Sequence, residues 1–201
     1  MTVTVALCGA CATPGPNTAS HAAGLTRAIA ALGPTVDAGE AGRVAGTLLQ
    51  RSQDLEVVYG RSGAPRLHNL LVNLGVRQRG LCCHFAEDLI AALRSLPLQT
   101  LDVHWAVARY GDPLREHSAV LLVERGGPWQ RGLLIDAWRE HGVVFWSPVE
   151  TDRRYPWELH PLSGDWERLH CEEPRLFGAW AGPLPPPVGA FRLASDRRGP
   201  S

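Results

Sequence analysis

The sequence predicts an α+β protein in which N-terminal helices are followed by a small antiparallel sheet. Apolar residues recur every three or four positions through the first half of the chain, which is typical of amphipathic helices. After residue 100 the pattern changes to alternation and to short apolar runs, which indicate strands. Helices first and then neighbouring strands favour segregated layers over alternating βαβ units. The 201 residues are enough for one domain with a sizeable core.

Helical periodicity divides the first half of the chain into separate helices. Residues 21–59 carry it twice, and Gly33-Pro34 interrupts it, so we expect two helices there. A leucine stripe over residues 67–74 predicts another helix. A further helix is predicted from Cys82 to about Arg94, because Pro97 prevents it from continuing.

Four strand-like segments follow these helices. They are TLDVHWAV, AVLLV, RGLLID and GVVFWSPV. Beyond the sequence YPW the periodicity is lost, and LPPPVG is typical of an extended segment. We therefore predict a signal-like or tether segment at 1–20, an α+β domain at 21–160 and an extended or partly disordered tail at 161–201.

Composition excludes several classes of function. Twenty basic residues balance twenty acidic ones, so nothing indicates a nucleic-acid partner. No apolar run approaches the roughly 20 residues that span a bilayer. Five cysteines are an odd number for a chain of this size and argue against a disulfide framework. No cofactor is expected.

The N-terminal segment MTVTVALCGACATPGPNTAS resembles the end of a bacterial lipoprotein signal. Small apolar residues precede Cys11, and a polar, proline-containing tether follows it. Cys11 is therefore the candidate for lipidation and for a membrane tether, which places the protein in the cell envelope. The alternative is a redox CxxC formed by Cys8 and Cys11, and without export the protein would be cytoplasmic.

Two adjacent thiols begin the predicted helix in RGLCCHFAEDL. Helical spacing places Cys82 on the same face as Phe85 and Leu89, so we expect it to face the packing partner, whereas His84 lies on the opposite, exposed face. Cys83 lies on the flank. A thiol in the first helical turn meets unpaired amides and the positive end of the macrodipole, which stabilise thiolate over thiol.

A base and an orienting group for such a thiol follow on two consecutive strands. His117 stands at the head of EHSAVLLV, directly after Glu116, and Asp136 stands towards the end of GLLIDAW. If these strands form a hairpin that turns at Gly126-Gly127, paired positions add up to 253, and His117 lies directly opposite Asp136. The Cβ atoms of such a pair are about 5 Å apart, close enough for the carboxylate to hold an imidazole N–H.

The motifs GLCCHFAEDL, REHSAVLL and LLIDAW, in this order, resemble the papain-like superfamily in its transglutaminase-like arrangement, which includes bacterial cell-wall amidases and endopeptidases. The block from RGLCCHFAEDL through DRRYPW also resembles a set of bacterial proteins, often with a lipoprotein-like start. The resemblance implies Cys82 as nucleophile, His117 as base and Asp136 as orienting residue, with Gln78 as a candidate oxyanion donor. Cys83 stands where the family would carry a bulky aromatic residue, so both thiols remain candidates.

These residues predict a thiol hydrolase, an amidase or peptidase, that acts on a peptide or other amide substrate. A first alternative is a papain-like binding or structural protein of the envelope without turnover. A second is a metal-dependent hydrolase, for which the candidate ligands are Cys82, His84, His104, His117 and Asp136. The aromatic residues that could line a groove beside the site are Trp138, Trp146, Tyr155 and Trp157.

Overall fold

The computed structural model describes residues 19–59, 72, 79–112, 115–140, 143–168 and 170–171. Within them the chain forms three helices and one five-stranded antiparallel sheet, which confirms the predicted α+β class. None of the described helices is long and apolar enough to cross a membrane. The helix predicted at 67–74, the lipidation candidate Cys11 and the oxyanion candidate Gln78 lie outside the described residues.

The helices are α1 (Ala19–Ala30), α2 (Ala38–Val58) and α3 (Cys82–Arg94). Two helices separated near Gly33-Pro34, and a later one that starts at Cys82, are as predicted. Asp37 caps α2, because its carboxylate accepts the backbone N–H of the third helical residue at 2.7 Å.

The strands are β1 (Leu101–Ala108), β2 (His117–Glu124), β3 (Leu133–Glu140), β4 (Val143–Pro148) and β5 (Trp157–Leu159). Their order in the sheet is β4-β3-β2-β1-β5, and all neighbours are antiparallel. The first four correspond to the predicted segments. The three-residue strand β5 was not predicted, and its pairing of Trp157 with Ala108 brings the YPW sequence alongside the end of β1.

Both faces of the sheet are covered. The larger core joins the three helices to one face and includes Leu25, Leu48, Phe85, Leu89, Trp105, Val120 and Ile135. The opposite face is covered by Trp157 together with the partly buried Trp129 and Tyr155. Tyr155 thus comes from the connection between β4 and β5 and Trp157 from the start of β5, and both lie close to the start of β2.

Glu40 on α2 fixes the entry into β1. Its carboxylate is 1% exposed and accepts the backbone N–H groups of Gln99, Thr100 and Leu101 at 2.8, 3.1 and 3.0 Å. A buried charge is tolerated only when it is hydrogen-bonded in this way. The contact ties the helical layer to the first strand.

The chain after β5 packs on the domain rather than leaving it. Leu162 and Trp166 lie against the core, and the guanidinium of Arg94 lies 5.0 Å from the Trp166 ring centre. Cys171 forms a disulfide with Cys83, 88 residues earlier, so the expectation that the cysteines would not pair was wrong for these two. The tail predicted from residue 161 therefore begins with packed residues, and 172–201 lie outside the described residues.

Candidate active site

The turn before α3 is built to start the helix at Cys82. Gly80 has a φ of 121°, a conformation that favours glycine. The Nδ1 atom of His84 accepts the backbone N–H groups of Gly80 and Leu81 at 3.1 and 3.2 Å, the reciprocal contact that a glutamate makes in a capping box. His84 was predicted to be exposed, and it is 1% exposed, because its ring folds back over this turn.

Arg79 holds the same turn against the outer side of α3. Its guanidinium donates to Glu87 at 2.9 Å and to Asp88 at 3.4 Å. The hydroxyl of Tyr59 donates to Asp88 as well, so α2 and α3 share this cluster. The backbone that presents Cys82 is thus fixed from two sides.

Cys82 is half-buried, and its sulfur lies 3.9 Å from the carbonyl oxygen of Glu116, the residue before His117. We expected Cys82 to face the packing partner, but Cys83 is the thiol position that packs against the core. Cys83 also forms a disulfide with Cys171, whereas Cys82 is the free cysteine among the described residues. The two candidate thiols are therefore distinguished: the available one is Cys82.

His117 and Asp136 form the buried pair that the sequence predicted. The Nε2 atom of His117 lies 2.6 Å from Oδ2 of Asp136, and the residues are 3% and 2% exposed. The predicted register was wrong, because Val120 pairs with Ile135, which puts Asp136 level with Ala119. The short 3₁₀ turn at Trp129–Arg131 widens the hairpin loop, and the resulting shift of two residues keeps both side chains on one face as diagonal neighbours.

The charged forms of His117 and Asp136 stabilise each other. Burial alone would lower the pKa of His117, but Asp136 and Cys82, through charge and hydrogen bonds, outweigh it and raise the pKa of His117 to about 10. Burial would raise the pKa of Asp136, but His117 and Arg139 hold it below its usual range. Asp136 occupies Nε2, which leaves Nδ1 as the ring nitrogen for the thiol. The site therefore favours an imidazolium held between a carboxylate and a sulfur.

Arg139 is a site residue that the sequence analysis missed. Its Nε donates at 3.0 Å to the same Asp136 oxygen that contacts His117, and its Nη2 donates to Asp152 at 2.7 Å. The other Asp136 oxygen accepts the backbone N–H groups of Trp138 and Arg139 at 3.0 and 2.9 Å. The sequence DAWR, with arginine three residues after the aspartate, was the available signal, but the partner Asp152 is distant in the sequence.

Aromatic rings enclose the imidazole. Tyr155 stacks on His117 with a centroid separation of 4.4 Å and an interplanar angle of 27°. Trp138 and Trp157 lie at 5.3 and 5.6 Å. Three of the four predicted aromatic residues thus surround the site, whereas Trp146 packs against α1. Such rings fix the orientation of the imidazole and limit its contact with water.

The metal ligands considered from the sequence are not brought together as a set. Within the described residues, the group of three such residues whose thiol, imidazole or carboxylate atoms all lie within 4.8 Å of one another consists of Cys83, His84 and Cys171. Two of these are disulfide sulfurs rather than thiolates, and the Nδ1 atom of His84 already accepts two amides. His104 lies apart on β1, with Nδ1 3.5 Å from the Ser163 hydroxyl. This donor set does not suit a metal ion.

The described contacts define a thiol–imidazole–carboxylate site that bridges a helix and an antiparallel sheet. In this order Cys82 begins α3, His117 begins β2 and Asp136 lies within β3. Comparison with protein-family models, with curated proteins and with solved structures found no match. The chemistry must therefore be inferred from the site itself.

Proposed function

We propose that the protein is a thiol hydrolase that cleaves an amide bond with Cys82 as nucleophile, His117 as acid and base, and Asp136 as orienting residue. The observation that carries this proposal is the arrangement of three side chains: Nε2 of His117 lies 2.6 Å from the buried Asp136, and the Cys82 sulfur lies 3.9 Å from the carbonyl oxygen of the residue before His117. A nucleophile next to a base that a third group orients is the arrangement that covalent catalysis requires. The order of these residues along the chain is also that of the papain-like superfamily in its transglutaminase-like arrangement, so membership of that superfamily is part of the proposal.

The first half of the reaction is acylation. The Cys82 thiolate attacks the carbonyl carbon of the amide, and the carbonyl oxygen takes up the negative charge. The amides of the first helical turn lack acceptors within the helix and can stabilise that oxyanion. The C–N bond then breaks, the imidazolium of His117 gives its proton to the leaving amine, and a thioester on Cys82 remains.

The second half is hydrolysis of the thioester. His117, now neutral, takes a proton from water as the water oxygen attacks the acyl carbon. Collapse of this intermediate releases the carboxylic acid and the Cys82 thiolate, and His117 returns to the imidazolium form. The lipoprotein-like start favours the bacterial envelope as the place of action, which makes peptidoglycan peptides and envelope proteins the candidate substrates.

The proposal is tested by the rate at which iodoacetamide alkylates Cys82, measured on the isolated peptide by mass spectrometry. A free cysteine with a pKa of about 8.5 is almost entirely protonated at pH 6, so we expect Cys82 to react at least about ten-fold faster than free cysteine at that pH. His117→Gln removes the imidazolium and should abolish this advantage. His104→Gln, a half-buried histidine on β1, is the matched control and should leave the rate unchanged.

A rate equal to that of free cysteine, with no effect of His117→Gln, would contradict the activated thiol. A second measurement separates turnover from binding. Wild type and Cys82→Ala are incubated with a muropeptide digest, and new amine and carboxylate ends are detected by mass spectrometry. Products formed by wild type alone support hydrolysis, whereas a fast thiol without products from any tested amide favours the alternative of a binding protein.

A further inference from the structure

Three guanidinium groups surround the ring that stacks on His117. The carbon at the centre of each guanidinium lies 5.7 Å (Arg109), 5.0 Å (Arg139) and 5.5 Å (Arg154) from the centre of the Tyr155 ring. Arg139 is buried, and two carboxylates neutralise it. The other two arginines are exposed, so they face solvent beside the Tyr155 ring.

Neither exposed arginine forms an ion pair with an acidic residue in the described part of the chain. Among the described residues no carboxylate oxygen lies within 4.0 Å of the guanidinium of Arg109 or Arg154, whereas the exposed Arg115 and Arg168 each pair with an aspartate at 2.8 and 3.3 Å. Tyr155 supports both positive charges by cation–π contact rather than by neutralising them. Two uncompensated positive charges therefore lie one aromatic ring away from His117.

The backbone at Arg109 is strained in a way that fits a functional role. Its φ is 57°, and it is the non-glycine residue with positive φ in the described part of the chain. A conformation of this kind is unfavourable for a residue other than glycine and persists where the surrounding structure imposes it. Arg109 directly follows Ala108, which pairs with His117 in the sheet. The strained residue thus lies immediately beside the end of β2 that carries the catalytic histidine.

We propose that Arg109 and Arg154 form an anion-binding subsite, which selects amide substrates that carry a carboxylate close to the scissile bond. This inference rests on the proposed function and narrows its substrate class to acidic peptides or related amides. Guanidinium groups match carboxylates in geometry as well as in charge, because each can donate two parallel hydrogen bonds. The Tyr155 ring contacts both arginines and also stacks on His117, so an anion bound by the arginines would lie close to the proposed catalytic residues.

The subsite is tested without knowledge of the substrate by comparing two alkylating probes of similar size. Iodoacetate carries a carboxylate, and iodoacetamide is neutral. The ratio of their rates at Cys82 reports the local potential, whereas the rate with iodoacetamide reports activation of the thiol. At low ionic strength we expect each of Arg109→Gln and Arg154→Gln to lower the ratio about two-fold, and the double variant about four-fold, from Coulomb interactions across roughly 10 Å of partly solvated protein.

The control variants separate the effect of removing a charge from the effect of disturbing the fold. Arg109→Lys and Arg154→Lys retain the charges and should keep most of the ratio, and Arg168→Gln removes an exposed arginine that is already paired with Asp165. The differences should shrink in 0.5 M salt, where screening acts over a few ångströms. A double variant whose ratio equals that of wild type overturns the inference, even if the thiol is activated. A slow reaction with iodoacetamide in wild type counts against the proposed function instead.

Discussion

Replacing Asp136 with asparagine should reverse the way in which stability depends on pH. In the folded protein the pKa of His117 is raised to about 10 from an ordinary value of 6.5. Its proton therefore stabilises the fold fully below pH 6.5, and this stability is lost as the pH rises towards 10. For one proton the free energy of unfolding falls by up to about 1.4 kcal/mol per pH unit in that window.

Asparagine keeps the shape of the side chain and removes its charge. Burial, which lowers the pKa of His117, is then opposed less, so the imidazole becomes neutral at pH 7. The variant should lose stability when the pH falls below about 6.5, because the unfolded chain then binds the proton more tightly. We also expect an overall loss of about 3–5 kcal/mol, since Arg139 loses one of its two buried charge partners.

The measurement is urea unfolding of Cys82→Ser and of Cys82→Ser/Asp136→Asn at intervals between pH 5 and 9, with the disulfide intact. Cys82 is replaced because the proposed thiolate would release its proton on folding, below the pKa of about 8.5 of a free thiol, and so offset the proton that His117 takes up. A flat Cys82→Ser profile between pH 7 and 8, or the same slope in the double variant, would refute the assigned charges. If the double variant does not fold, His117→Gln in the Cys82→Ser background removes the titrating group while Asp136 stays paired with Arg139, and it should flatten the slope.

Two further predictions concern the residues that support the site. Cys171→Ser removes a disulfide that closes a loop of 88 residues, and it should lower the free energy of unfolding by about 4 kcal/mol. The measurement is denaturant unfolding without reductant. An unchanged midpoint would mean that the disulfide does not contribute to stability. In Arg139→Lys the new side chain cannot donate to Asp136 and Asp152 in the same geometry, so Asp136 would hold His117 less firmly. We expect alkylation of Cys82 at pH 6 to slow about ten-fold, which corresponds to the loss of about one to two kcal/mol of hydrogen-bond energy. Arg168→Lys is the matched control, and equal rates in the two variants would rule out a positioning role for Arg139.

Local patterns were sufficient to predict most of the elements. The helices at 19–30, 38–58 and 82–94 carry their own apolar periodicity and their own breaks, and β1 to β4 are continuous apolar or alternating runs. The strand β5 has three residues, and only its pairing with β1 makes it a strand. An element defined by a distant partner leaves little local signal.

The contact between His117 and Asp136 was predicted in spite of a wrong register. Side chains alternate along a strand, so an error of two residues leaves them on the same face, whereas an error of one would have separated them. His84 shows the opposite case. Its helical position indicates an exposed side chain, but capping of the preceding turn draws the ring inwards. Arg139 was not assigned a role, and Tyr155 was expected only to line a groove, because the pairing of Arg139 with Asp152 and the stacking of Tyr155 on His117 join residues that are distant in the sequence.

The atoms of the proposed catalysis belong to different layers of the domain, since the sulfur belongs to α3 and the imidazole to the sheet. Their spacing is therefore governed by how closely helix and strands settle together through residues such as Phe85 and Leu89. Truncating either side chain should let the helix shift by a fraction of an ångström, and we expect the reactivity of Cys82 to fall before the protein unfolds. Tolerance to mutation measured by expression or solubility would then exceed the tolerance measured by the reactivity of Cys82, because core residues also set the spacing of the proposed catalytic atoms.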